Sequence, residues 1–212
     1  MTAPIITIEH LREALQLSHF DYAPAQERMA PRPRGMLPQN EGIPPREAGV
    51  LALVYPEADG QHIVLTRRTE TLRGHSGQIS FPGGRRDPDD PSFTATALRE
   101  TCEELGICDQ IEILGMLSPF YIPPSHFNVY PTVGALDYKP DFNPNPVEVA
   151  EVFSFALGDL INDVYKFEEF RQFNDRRVRI PYYMVREHKV WGATAVMLSE
   201  LESRLRVVIN GG

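Results

Sequence analysis

Six consecutive residues, Arg99-Glu100-Thr101-Cys102-Glu103-Glu104, carry the strongest chemical signal in the 212-residue chain. On a helix, positions i, i+3 and i+4 share one face, so Glu100, Glu103 and Glu104 project together. Three carboxylates held close repel and raise one another's proton affinity. A hard divalent cation among them removes that conflict, and magnesium and manganese favour all-oxygen ligation completed by water. A solvated acidic face, with Arg99 as a local partner, is the competing reading. Residue types alone leave both open.

The flanking residues favour the cation. A glycine-rich turn, Phe81-Pro82-Gly83-Gly84, leads through the acidic loop Arg86-Asp87-Pro88-Asp89-Asp90 into the helix. Gly106 is the stop signal and Ile107 follows it. Cys102 lies on the same helix but off the glutamate face. No histidine stands in obvious relation to it, so it reads as a packed thiol rather than a nucleophile.

The remaining elements must position that helix. The spacing of Ile8, Leu11, Leu15 and Leu17 predicts an amphipathic helix over 7–18, with Thr7 at the cap. Six prolines between 23 and 46 argue against regular structure there and for a wrapping arm, locally basic through Arg28, Arg32, Arg34 and Arg46. The apolar run 48–55 and the segment 62–68 predict a strand pair around a turn at 57–60. A long loop, 69–91, precedes the helix 92–105, and loops of that length in a compact domain are usually functional. Further strands are expected over 111–117, 129–137, 147–155, 167–173 and 178–185, and a closing helix over 193–206. The strands and helices are segregated, which predicts one α+β domain at 47–212 behind an N-terminal helix and arm at 1–46.

Composition bounds the partners. Hydrophobic residues make up 42 % and charged residues 24 %, enough for a real core. A formal charge of −8, from 21 basic and 29 acidic residues, disfavours nonspecific nucleic-acid binding. It is compatible with a small anionic substrate, because a bound cation reverses the local sign. No secretory signal or membrane-length apolar stretch stands out, so a cytoplasmic location and no membrane partner are expected. Cys102 and Cys108 are then expected as reduced thiols.

The stretch from Gly84 to Ile107 resembles the Nudix box of Nudix hydrolases. Arg99-Glu100, Glu103-Glu104, Gly106 and Ile107 match it residue by residue. Asp90 stands where the family has glutamate, its spacing to Arg99 is one residue longer, and Thr101 replaces an aliphatic residue. Upstream, Leu65 to Gly84 resembles a signature of the coenzyme A diphosphatase branch. Downstream, Trp191-Gly192-Ala193-Thr194-Ala195 resembles that branch's C-terminal motif. The likeness spans roughly 47–205.

The resemblance implies an α/β/α sandwich on a mixed sheet, Mg2+ or Mn2+, and two-metal hydrolysis of a nucleoside diphosphate linked to another group. It makes Glu100, Glu103 and Glu104 the metal ligands and Arg99 the residue that ties loop to helix, through Asp90 or a ligand carboxylate. Gly83 and Gly84 would let the backbone approach metal or phosphate. Glu148 and Glu151 are candidate bases outside the box, each with surface charge as its alternative; Glu100 is the candidate within it. Arg67, Arg68 and Arg73 are candidates for substrate phosphates. His75 and Gln78 have either a phosphate-binding or a loop-forming role. Phe120, Tyr121, Phe127 and Trp191 line the cleft or pack. Coenzyme A or its thioesters head the substrate expectations, with other nucleotide diphosphates and a non-catalytic binding module as rivals. The resemblance also leaves room for a homodimer.

Overall fold

The apolar run at 48–55 is the middle of the molecule. The computed structural model describes residues 3–33, 42–70, 77–173 and 176–211, and in it that run lies within strand β1, Arg46–Glu57. A strand buried on both faces needs apolar side chains on both. Here Leu51, Leu53 and Tyr55 pack to one side, and Ala52 and Val54 to the other. β1 turns into β2, Gly60–Arg68, with Glu57 opposite Gly60. It pairs in parallel with β7, Phe127–Ala135, and antiparallel with the short β4, Gly83–Arg85. β2 carries β3, Ile79–Ser80, and β8, Val149–Ala156. β7 carries β5, Glu112–Met116, and β6, Phe120–Ile122. Together these form a mixed eight-stranded sheet.

One face of this sheet holds helix α3, Phe93–Leu105. Ala97, Leu105 and Ile107 pack there on Leu51, Leu53, Val64 and Leu136. The other face holds α1, Ile8–Gln16, and α5, Gly192–Ile209, with Leu11, Ala14, Leu198, Leu201 and Leu205 set against Val54, Ile63 and Leu65. The expected α/β/α arrangement on a mixed sheet is what the chain forms. A second, three-stranded antiparallel sheet, β9 (Lys166–Phe173), β10 (Arg176–Val185) and β11 (His188–Trp191), flanks α5.

α5 also carries buried charge, and each charged group is satisfied. The Glu202 carboxylate accepts from the Tyr183 hydroxyl at 2.7 Å and from Lys166 and Arg206 at 2.6 Å. The Glu200 carboxylate accepts from the Ser118 backbone N–H and hydroxyl and from Gln26, each at 3.0 Å, and pairs with Arg204. Gln26 belongs to α2, Ala23–Met29, a helix that the proline count had argued against. The correction has a simple cause. Pro24 sits in the first turn, where its missing N–H costs nothing and its φ suits the helix. The described parts of the N-terminal segment are packed as well: Ile6, Leu11, Ala14 and Met29 lie in the main core.

The capped helices begin close to where their sequences place them. Thr7 accepts from the His10 amide, and the Thr7 amide donates to the His10 ring at 3.2 Å. Ser92 caps α3 by accepting from Ala95 at 3.1 Å. Elements with weak patterns escaped notice: β3, β4, β6, β11 and the five-residue helix α4, Leu157–Ile161. The thiol expectation is overturned, since Cys102 and Cys108 form a disulfide with Cα atoms 4.4 Å apart. Gly106 ends α3 in the left-handed region at φ 73°, its N–H donating to the Cys102 carbonyl at 2.9 Å, and this reversal brings Cys108 back over Cys102.

Candidate active site

The loop between β4 and α3 is fixed by one guanidinium. Arg99 donates to Asp90 through Nε at 3.1 Å and Nη2 at 3.0 Å, and Nη2 also reaches the Arg85 carbonyl at 3.1 Å. Its Nη1 donates to Glu100 at 2.9 Å and to Glu103 at 3.2 Å. Asp90 is buried and further held by Thr96 Oγ1 at 2.9 Å and the Asp87 amide at 3.0 Å. The hydrogen bonds from Arg99 hold the Asp90 carboxyl far below the usual carboxylate range. Arg99 thus serves both of the partners expected for it. Thr101, where an aliphatic residue was the rule, is fully buried and donates to the Ala97 carbonyl at 2.7 Å, so its hydroxyl is satisfied within the helix.

The three glutamates differ in environment. Glu104 is 2 % exposed, with Arg68 Nη1 3.5 Å away. Burial pushes its carboxyl up to about 7, and Glu100 and Glu148 add to the rise, while Arg68 and the Gly83 backbone oppose it. Glu100 is also pushed up by burial, against the pull of Arg99, and feels both Glu103 and Glu148. Its carboxylate lies on Gly84, where any Cβ would overlap it. Glu103 is exposed and engaged with Arg99. Among the described residues no three His, Cys, Asp or Glu side chains are already gathered to hold a metal. The donor set still fits a hard cation: the buried Glu104 and half-buried Glu100 carboxylates, both with raised proton affinity, a third within the same turn, and a glycine cradle beneath Glu100.

The structure separates the two candidate bases. Glu148 lies close enough to Glu100 and Glu104 to raise both. It stands in a turn joined to α3: the Asn145 amide donates to the Glu104 carbonyl at 2.9 Å, and the Glu148 amide donates to the Asn145 carbonyl at 3.1 Å. Glu151 is on the opposite face of the sheet. Val152 packs on the α3 side and Phe153 on the other, so strand alternation puts Glu151 with Phe153. There it pairs with Arg67 at 3.0 Å and His188 at 3.2 Å, and Arg67 holds its carboxyl low. Arg67 and Arg68 therefore part company: only Arg68 faces the glutamates.

Among the other expected residues, Gln78 accepts from the Arg68 amide through its carbonyl at 3.1 Å. A Cβ at Gly83 would overlap Gly49 and Val50 of β1, so the close approach it permits is to that strand. Arg73 and His75 lie outside the described residues. Phe120 and Phe127 pack on the main core, Tyr121 shares a 2.7 Å hydrogen bond with His126, and Trp191 has the Arg171 guanidinium 5.5 Å above its ring. The sequence reading missed Asn145. An Asn-Pro-rich turn ahead of an acidic strand was the signal for it.

The NUDIX domain model matches residues 45–177, more than half of the chain. The uncharacterized Nudix hydrolase NudL of Photorhabdus laumondii is 37 % identical over 147 residues, covering 68 % of this chain and 78 % of that protein. The NudL of Pectobacterium atrosepticum is 38 % identical over 142 residues, covering 66 % and 72 %. Among solved structures, the Nudix hydrolase RenU of M. smegmatis superposes with a TM-score of 0.53 at 14 % identity, covering 84 % of this chain and 96 % of that one. A MutT/nudix family protein from Enterococcus faecalis gives 0.52 at 17 % identity, covering 95 % and 73 %; likeness at such identities speaks for the fold alone. The chain belongs to the Nudix family of hydrolases, enzymes that act on phosphoric anhydrides in nucleoside diphosphate derivatives and generally use Mg2+ or Mn2+. No helix among the described residues is long and apolar enough to cross a membrane.

Proposed function

We propose that the chain hydrolyses the diphosphate bond of coenzyme A or its thioesters, releasing adenosine 3′,5′-bisphosphate and phosphopantetheine or its acylated form. The observation that carries the hydrolytic reading is the placing of the buried Glu104 and the half-buried Glu100 beside Glu148, with desolvation raising the proton affinity of Glu104 and Glu100. The coenzyme A preference is supported by the branch signature at Leu65–Gly84 and the motif at Trp191–Ala195.

In this reading Glu100, Glu103 and Glu104 hold Mg2+ or Mn2+. The ion, when bound, supplies positive charge against the diphosphate. Glu148 accepts the proton of the attacking water. Arg68, beside Glu104, offers its guanidinium to a substrate phosphate. Arg99 holds loop and helix in register, and Gly84 gives Glu100 room to lie against the backbone. Binding of the ion requires Glu103 to leave Arg99, which keeps Asp90 and Glu100 as partners.

The test is a product screen by mass spectrometry. Coenzyme A, acetyl-coenzyme A, NADH, ADP-ribose and diadenosine polyphosphates are each incubated with Mg2+ or Mn2+. Adenosine 3′,5′-bisphosphate from the first two, at the highest kcat/KM of the set, is expected. Preferential cleavage of another substrate moves the assignment to it, and no cleavage of any favours a binding module.

A further inference from the structure

The end of α3 is closed twice, once by the Gly106 cap and once by the Cys102–Cys108 disulfide. The two half-cystines lie six positions apart. Ile107 anchors the ring from within, 7 % exposed in the cluster that also contains Leu51, Leu105 and Leu136. Cys108 is exposed and Cys102 half-buried, which makes Cys108 the more accessible half of the bridge.

What this ring touches gives it consequence. The last carbonyls of α3 have no partner within the helix. They are taken by the following loop: the Asn143 amide donates to Leu105 and the Asn145 amide to Glu104, each at 2.9 Å. The Asn145 carbonyl then accepts from Glu148 at 3.1 Å and Val149 at 2.8 Å, and its side chain accepts from the Val147 amide at 3.1 Å. A continuous set of bonds therefore runs from the disulfide, through the last turn of α3 with Glu103 and Glu104, to Glu148.

We infer that Cys102–Cys108 is a thiol-exchange site at the rear of the glutamate helix, open to a small dithiol, and that its redox state sets the rate of hydrolysis through the turn bearing Glu148. The inference rests on the assignment of the glutamate site above. In the exchange, a thiolate of the dithiol attacks the Cys108 sulfur, the Cys102–Cys108 bond breaks, and Cys102 leaves as a thiolate that takes up a proton. The second thiol of the reductant then closes on the first, releasing Cys108 as a thiol. The protein gains two electrons and two protons, and the dithiol becomes a cyclic disulfide. With the ring open, the helix end keeps its hydrogen bonds and the burial of Leu105 and Ile107 but loses its covalent tie, and helix ends are where fraying begins.

The experiment uses the full chain, oxidised or reduced with dithiothreitol that is then removed by gel filtration, with the disulfide state read by mass spectrometry. Turnover is measured with acetyl-coenzyme A, which has no free thiol. The oxidised form is expected to show a kcat about three- to tenfold higher at nearly constant KM, a modest share of what misplacing a reacting group can cost. Cys108→Ser is expected to sit at the reduced rate and to ignore dithiothreitol. Hydrogen exchange at the Asn145 and Glu148 amides reads the coupling without turnover and is expected to quicken on reduction. Equal kcat and equal exchange in the two forms, failure of the disulfide to form, or a Cys108→Ser enzyme that still responds would each overturn the inference. If no substrate is cleaved in either form, the proposed function fails, and the exchange measurement alone decides whether the disulfide governs this turn.

Discussion

Burial penalises a carboxylate's charge, and at the residue scale Glu104 bears most of that penalty in this site. Its carboxyl titrates near 7 in the folded chain against an ordinary 4.5, with burial as the main cause. The folded state therefore binds more protons than the unfolded state between about pH 4.5 and 7. In metal-free protein this contribution to stability is fully present below that window and is lost as pH rises through it. Glu104→Gln removes the charge while keeping the shape. It is expected to stabilise the metal-free protein at pH 8 by about 3 kcal/mol, or roughly 6–12 °C in Tm by calorimetry, and to abolish hydrolysis. An unchanged or lowered Tm would contradict the account of Glu104. Gly84→Ala acts on the neighbouring ligand. The new methyl overlaps the Glu100 carboxylate, and a loss of at least about a hundredfold in kcat is expected from steady-state kinetics.

At the scale of elements, the Asp90–Arg99 pair joins the loop to α3. Breaking a buried pair leaves a charge uncompensated, so Arg99→Leu is expected to cost about 3 kcal/mol, read from the urea midpoint. Because the Asp90 carboxyl is held well below its ordinary value, the pair's contribution is present above about pH 4 and fades as pH falls toward the lower folded value. A variant losing stability equally at pH 2 and pH 7 would refute that coupling. The turn before β8 separates the two outer glutamates. Glu148→Gln is expected to lower kcat by about 10² or more, whereas Glu151→Gln leaves it within a few-fold. This division was only half legible in the sequence. The helix over 92–105 and its Gly106 stop were legible in the sequence, and so was the i, i+3, i+4 spacing of its glutamates; the Ser92 cap was not singled out. Which of Glu148 and Glu151 meets that face depends on strand parity. Phe153 on the main core decides it, and no local pattern says which side of an edge strand faces a helix. The disulfide was hidden for a like reason: a redox expectation outweighed the Gly106 reversal that brings two sulfurs together six positions apart. α2 was hidden because a count of prolines ignores that the first turn of a helix accepts one.

At the scale of the whole molecule, the N-terminal segment, α5 and the sheet share one core, so the glutamate face is supported from behind. The buried Glu202 group, linking Tyr183, Lys166 and Arg206, lies well outside the residues assigned to chemistry. Glu202→Ala is expected to lower stability by about 3 kcal/mol in urea while the folded fraction keeps its kcat. A large loss of kcat at unchanged stability would instead tie α5 to the reaction. The proposed metal site requires three carboxylates on adjacent turns of α3 to close around a divalent ion. An anomalous difference map from a crystal soaked in manganese tests it most directly. A peak is expected among Glu100, Glu103 and Glu104, with Glu103 released from Arg99. A map with no peak there and Glu103 still held by Arg99 would contradict it.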